Sequence, residues 1–129
     1  QSKEQNKRIN EISEKIKLIK KANFSQGIDV IKTMFKKVLQ LNPNKVEIIE
    51  KHHINKKDSP SGTALDLKDF IAQNYSGCVN INSIREGDEK GEHIINATFD
   101  NEEISIKHNV FSRQAFVDGV IEEVKRILQ

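Results

Sequence analysis

Residues 50–64 read EKHHINKKDSPSGTA. Just before them, Val46, Ile48 and Ile49 give residues 45–51 the apolar content of a strand. Just after them, Ala64, Leu67, Phe70 and Ile71 recur at helical spacing and predict a helix over roughly 63–74. The stretch is therefore read as the loop of a strand–loop–helix junction, with Ser61 or Thr63 capping the helix. Two adjacent histidines, two lysines and an aspartate sit in that loop, more proton carriers and cations than a plain connection needs.

Working outward, Ile28, Ile31, Phe35, Val38 and Leu39 predict a helix over 26–41, with Ser25 at its N-cap and Asn42-Pro43-Asn44 as its stop. Ile9, Ile12, Ile16 and Ile19 predict another over 3–15, and residues 16–21 could prolong it or form a short strand. Beyond the junction, three strands are expected at 78–86, 92–99 and 102–108, the last with clear alternation around Ile104 and Ile106. A closing helix over about 113–127 carries Phe116, Val117, Val120, Ile121 and Val124, with Ser112 as its N-cap. The fold expected is α+β: a four-stranded sheet, mostly antiparallel or mixed, covered by helices.

A chain of 129 residues can form one modest domain. Its net charge of only +2 and its few aromatic residues give no support to nucleic-acid binding. With Cys78 as the single cysteine, no internal disulfide or cysteine-based zinc site can be built, and a reduced, cytoplasmic setting is expected. No apolar run is long enough to cross a membrane. The chain opens on Gln1 rather than methionine, from which we expect a fragment or a processed chain.

The quoted loop has the parts of an anion site. First-turn N–H groups of a helix lack intrahelical partners and carry the positive end of its dipole. Gly62 would let a ligand come close to the backbone, Ser61 and Thr63 would add hydroxyls, and Lys56 would add a full charge. Imidazole titrates near neutrality and can hand over a proton. His52 and His53, adjacent at a strand end, should point to opposite faces, which counts against one shared metal ion. Glu50 and His52 share a face, but no third ligand stands at the usual spacing, so no metal is expected. His93 and His108 are read as satisfied sheet residues, Lys57 as solvated, and Cys78 as a small core residue.

The run Glu50, His52, His53, Lys56, Asp58, Pro60, Ser61, Gly62, Thr63, Ala64 resembles the signature of dihydrodipicolinate reductase, now called 4-hydroxy-tetrahydrodipicolinate reductase. Every fixed position of that pattern is matched. Three weaker segments agree in order: Ala22-Asn23-Phe24-Ser25 with Gly27; Ile84-Arg85 with Gly91-Glu92-His93; and His108 with Ser112-Arg113 and Phe116.

The resemblance implies a reductase that passes hydride from NADH or NADPH to a cyclic dicarboxylate, on the route to lysine and diaminopimelate. His52 would be the general acid and Lys56 would assist it while binding a carboxylate. His53 would contact substrate, and Ser61, Gly62 and Thr63 would hold the other carboxylate. Lys21, Ala22, Asn23 and Phe24 would line the nicotinamide. A homotetramer formed through the sheet is implied too. The family opens with a Rossmann-type domain bearing a glycine-rich turn, and the glycines here, at 27, 62, 77, 87, 91 and 119, do not make one. The resemblance therefore divides the chain into 1–25, a remnant helix and strand of the dinucleotide domain; 26–112, the substrate-binding and oligomerisation domain; and 113–129, a helix belonging to the dinucleotide domain. It favours a strand at 16–21. The alternative is a non-catalytic dicarboxylate-binding or oligomerisation module that has lost the dinucleotide domain.

Overall fold

The structure, a computed structural model, describes residues 2–129. Its elements are α1 (Lys3–Ser13), α2 (Gln26–Leu39), β1 (Lys45–His52), α3 (Gly62–Asn74), β2 (Val79–Arg85), β3 (Glu92–Thr98), β4 (Glu103–Asn109) and α4 (Gln114–Leu128). The strands form one sheet in the order β2-β1-β3-β4. β1 runs parallel to β2, because α3 carries the chain back between them, and antiparallel to β3, which pairs antiparallel with β4. The expected α+β fold with a mixed four-stranded sheet is what forms.

One face of the sheet carries the core. Ile28, Ile31, Phe35 and Leu39 of α2 and Ala64, Leu67 and Ile71 of α3 close over Val46 and Ile48 of β1 and Ile95 and Ala97 of β3. Each of the larger side chains, Val, Leu, Ile and Phe, contributes roughly 1.5–3 kcal/mol by leaving water. Strand periodicity then has a consequence for function. The positions that continue this inner face past Ile48 are Glu50 and His52; past Ile81, Ser83 and Arg85; and beside Ile95 and Ile106, His93 and His108. The covered face is thus apolar over most of its length and polar at one end, next to the start of α3.

Several expectations are corrected. Residues 16–21 form no strand; a strand needs a neighbour to complete its hydrogen bonds, and no described strand lies beside this segment. It is held by side chains instead: Lys17 Nζ donates to the Ile127 carbonyl at 3.1 Å, and Lys21 pairs with Asp29 and Glu123 at 2.7 and 2.6 Å. α1 has a Ser2–Gln5 capping box but buries none of its isoleucines. Ser25 occupies the N-cap of α2, yet its hydroxyl makes no cap bond and meets His108 Nε2 at 3.0 Å. The N-cap of α4 is Arg113, and Ser112 Oγ accepts from Gln114 N one step outside the helix. Cys78 is exposed, because Val79 takes the first inward place on β2. Among the described residues no helix is long and apolar enough to cross a membrane.

Candidate active site

β1 delivers His52 to the polar end of the inner face, and the following loop returns the chain to the start of α3. There Ser61 is the N-cap: its Oγ accepts from Ala64 N at 3.1 Å. Ser61 is almost fully buried at the edge of the cleft, and its oxygen serves as the helix cap. The Ser61 N–H donates to Glu50 Oε1 at 3.1 Å. Of the first-turn amides, those of Gly62 and Thr63 make no hydrogen bond among the described residues. A Cβ built on Gly62 would meet nothing within 4 Å. The start of α3 thus presents these two amides on a bare backbone, a geometry that can take an anion.

These amides open onto a cleft of about 480 Å³. His52, His53, Lys56, Gly62 and Thr63 line it on one side, and Ala22, Asn23 and Phe24 on the other. The two sides are tied by Asn23 Nδ2, which donates to Thr63 Oγ1 at 3.0 Å. Of the ten residues singled out in the sequence, only Lys21 is not on the wall; its ammonium is held between α2 and α4 by Asp29 and Glu123. α4 reaches this region because residue 119 is glycine: a Cβ there would lie 1.6 Å from the Phe24 carbonyl oxygen.

Positive charge surrounds the opening. Lys56 pairs with Asp58 at 2.9 Å, but Asp58 is mostly exposed, so the pair is weak and the ammonium can turn to a ligand. Lys90 and Arg113 also line the cleft. Arg113 belongs to a motif in the sequence that assigns it no role, and Lys90 carries no sequence signal.

Beneath the cleft lies a network the sequence reading missed. Glu50 is fully buried and accepts from both Arg85 nitrogens, Nη1 to Oε2 at 2.9 Å and Nη2 to Oε1 at 2.8 Å. Burial by itself would favour the neutral acid. Hydrogen bonds from Arg85, Ser83, His52 and the Ser61 amide outweigh it and hold the carboxyl at about 2, so Glu50 is ionised. His52 Nδ1 lies 2.5 Å from Glu50 Oε2. Burial pushes the His52 imidazole below its ordinary range despite the opposing pull of Glu50. His93 stands edge-on to His52, ring centroids 5.3 Å apart, and its Nε2 lies 3.3 Å from Ser61 Oγ.

His93 and His108 are not the satisfied sheet residues expected: the Nδ1 of each is buried with no partner. Glu50, His52 and His93 do bring ligand atoms within 4.8 Å of one another, supplying the third ligand that spacing had not shown. Both Glu50 oxygens are nevertheless engaged by Arg85, and a guanidinium in the same shell repels a cation.

The family model described as dihydrodipicolinate reductase, C-terminus, matches residues 27–129. The 4-hydroxy-tetrahydrodipicolinate reductase of Blochmanniella floridana is 35% identical over 88% of this chain and 50% of its own length. That of Thermosipho africanus is 37% identical over 93% of this chain and 54% of its own. Among solved structures, a dipicolinate-bound dihydrodipicolinate reductase from Paenisporosarcina sp. TG-14 superposes with a TM-score of 0.71 at 25% identity, covering 81% of this chain and 47% of that one. The chain spans about half the length of the curated relatives it matches. A strand–loop–helix junction that presents free amides beside a carboxylate-held histidine, and a sequence match running from α2 to the last residue, agree on one assignment: the chain belongs to the dihydrodipicolinate reductase family and corresponds to its C-terminal region.

Proposed function

We propose that this chain is the substrate-binding half of a 4-hydroxy-tetrahydrodipicolinate reductase of the cytoplasm, acting on a cyclic dicarboxylate to give tetrahydrodipicolinate. The observation that carries the reading is the shared cleft, which joins the Gly62 and Thr63 amides, the Lys56 ammonium and the His52 ring. One carboxylate sits on the two amides. The other takes Lys56, with His53 alongside. His52 delivers the proton that balances the arriving hydride. Ala22, Asn23 and Phe24 face the ring from the opposite wall and fit a flat nicotinamide; NADH or NADPH, when bound, supplies the hydride. The rest of that dinucleotide finds no glycine-rich cradle in this sequence, so 1–25 and 113–129 belong with a dinucleotide-binding half and 26–112 is the substrate and oligomerisation domain. In support, α4 leaves Val117, Val120, Ile121 and Val124 largely exposed along its outer side. A non-catalytic dicarboxylate-binding module would use the amides and Lys56 but would have no use for a proton donor beside them.

The test is binding of pyridine-2,6-dicarboxylate, a planar mimic of the substrate, followed by NMR on this chain. The amide signals of Gly62 and Thr63 should shift on titration. Gly62→Ala, whose methyl would stand in open space over the amides, should keep the wild-type melting temperature and weaken binding at least tenfold, about 1.4 kcal/mol. Equal affinity in the two proteins would remove the amide cradle from the reading.

The uncovered face of the sheet carries the oligomer in this proposal. Its centre is the half-buried pair Ile49 and Ile94, directly opposite each other on β1 and β3. Light scattering should give the mass of four chains, and Ile94→Lys should reduce it. A wild-type monomer would end the proposal.

A further inference from the structure

We propose that Glu50 is a positioning residue for proton transfer: it aims one edge of the His52 ring at the cleft and ties that ring to the opening of α3. The inference deepens the reductase reading and rests on it. Glu50 and His52 are two residues apart on one strand and so share its inner face, and Arg85 is the residue directly opposite His52 on β2. Glu50 has no contact with solvent. One of its oxygens meets His52 Nδ1 and Arg85 Nη1; the other takes the Ser61 N–H and Arg85 Nη2.

A carboxylate only accepts, so the hydrogen between Glu50 and His52 belongs to Nδ1. That leaves Nε2 as the nitrogen that carries the mobile proton. It lies against Gly91, where a Cβ would come within 3.3 Å, and Gly91 lines the cleft. No group among the described residues hydrogen-bonds it. When Nε2–H passes its proton to the substrate, the electron pair of that bond stays on the ring, which becomes the neutral Nδ1–H form that Glu50 already holds. Because the same carboxylate grips the Ser61 amide, one buried group fixes the span between proton donor and anion cradle. Arg85 locks the carboxylate in turn, and its second anchor, the Asp58 carbonyl at 2.7 Å, is on the loop that carries Lys56. Glu50 touches neither substrate nor cofactor in this arrangement.

The test is the tautomer of His52, read by long-range proton–nitrogen NMR on this chain with labelled histidine at pH 8, where the ring is neutral. The wild type should show the Nδ1–H form. In Glu50→Gln the form should become mixed or switch to Nε2–H. In the full-length reductase, Glu50→Gln should lower kcat roughly a hundredfold while KM stays within a few-fold. A wild-type Nε2–H ring overturns the proposal without any variant, so the result does not depend on the variant folding. It is equally overturned if Glu50→Gln keeps the Nδ1–H form, or turns over at the wild-type rate. Failure of the reductase reading looks different: His52→Gln would then leave turnover unchanged, while the His52 tautomer would still respond to Glu50.

Discussion

In the full-length reductase, His52→Gln should lower kcat by roughly 10²- to 10⁴-fold and leave KM within a few-fold of the wild type. Glutamine keeps a polar group of similar reach at the end of β1, so the cleft survives. On the proposed reading the Gly62 and Thr63 amides and Lys56 would still grip both carboxylates, which would preserve ground-state binding. What is lost is a proton moved only in the transition state, and that loss falls on kcat and kcat/KM alike. The pH profile gives a second readout. Burial holds the free imidazole below 6.5, so in the wild type kcat/KM should fall as pH rises through that lowered value. A dianion bound beside the ring favours the charged form, so the matching fall in kcat should come at higher pH. His52→Gln should lose both. A variant that turns over normally, or keeps the wild-type profile, would remove His52 from the acid role.

The sequence was most legible where function and local pattern coincide. The junction around residues 50–64 could be read because strand, loop and helix follow one another, and each carries its own signal: Val46 and Ile48, then Lys56 and Asp58, then Leu67 and Ile71. The Glu50–Arg85–His93 network was not readable, since it depends on strand register. Glu50 meets His93 across β1–β3, and Arg85 lies opposite His52 across β1–β2. No local segment records those pairings. The reverse error occurred at 16–21, where a local pattern compatible with a strand met no partner to pair with. At Ser61 the cap was legible from residue type and position, and the Oγ does accept from Ala64 N; only the choice between Ser61 and Thr63 needed the structure.

That buried network has a measurable cost in acid. Burial lowers the His93 imidazole from 6.5 to about 4, with His52 adding to the effect. The groups facing it are His52, Glu50, His108 and Lys56, and of these only Glu50 favours its charged form. The folded state therefore binds a proton on His93 more weakly than the unfolded chain does. His93 costs nothing above pH 6.5, and stability falls as pH drops from 6.5 towards 4, by on the order of 3 kcal/mol in all. His52 and His108 are also lowered by burial and act in the same direction. Below about 4.5 the loss continues through Glu50, whose carboxyl is lowered to about 2 and must be protonated away from Arg85. Thermal melts of this chain should thus be level above pH 7 and drop by roughly 10 °C between pH 6.5 and 4. His93→Gln, which removes the titrating ring, should flatten most of that drop even if it melts lower throughout. A melting temperature constant from pH 6.5 to 4 would mean that protonated His93 finds water or a partner, and that the inner face is open where the fold has it closed.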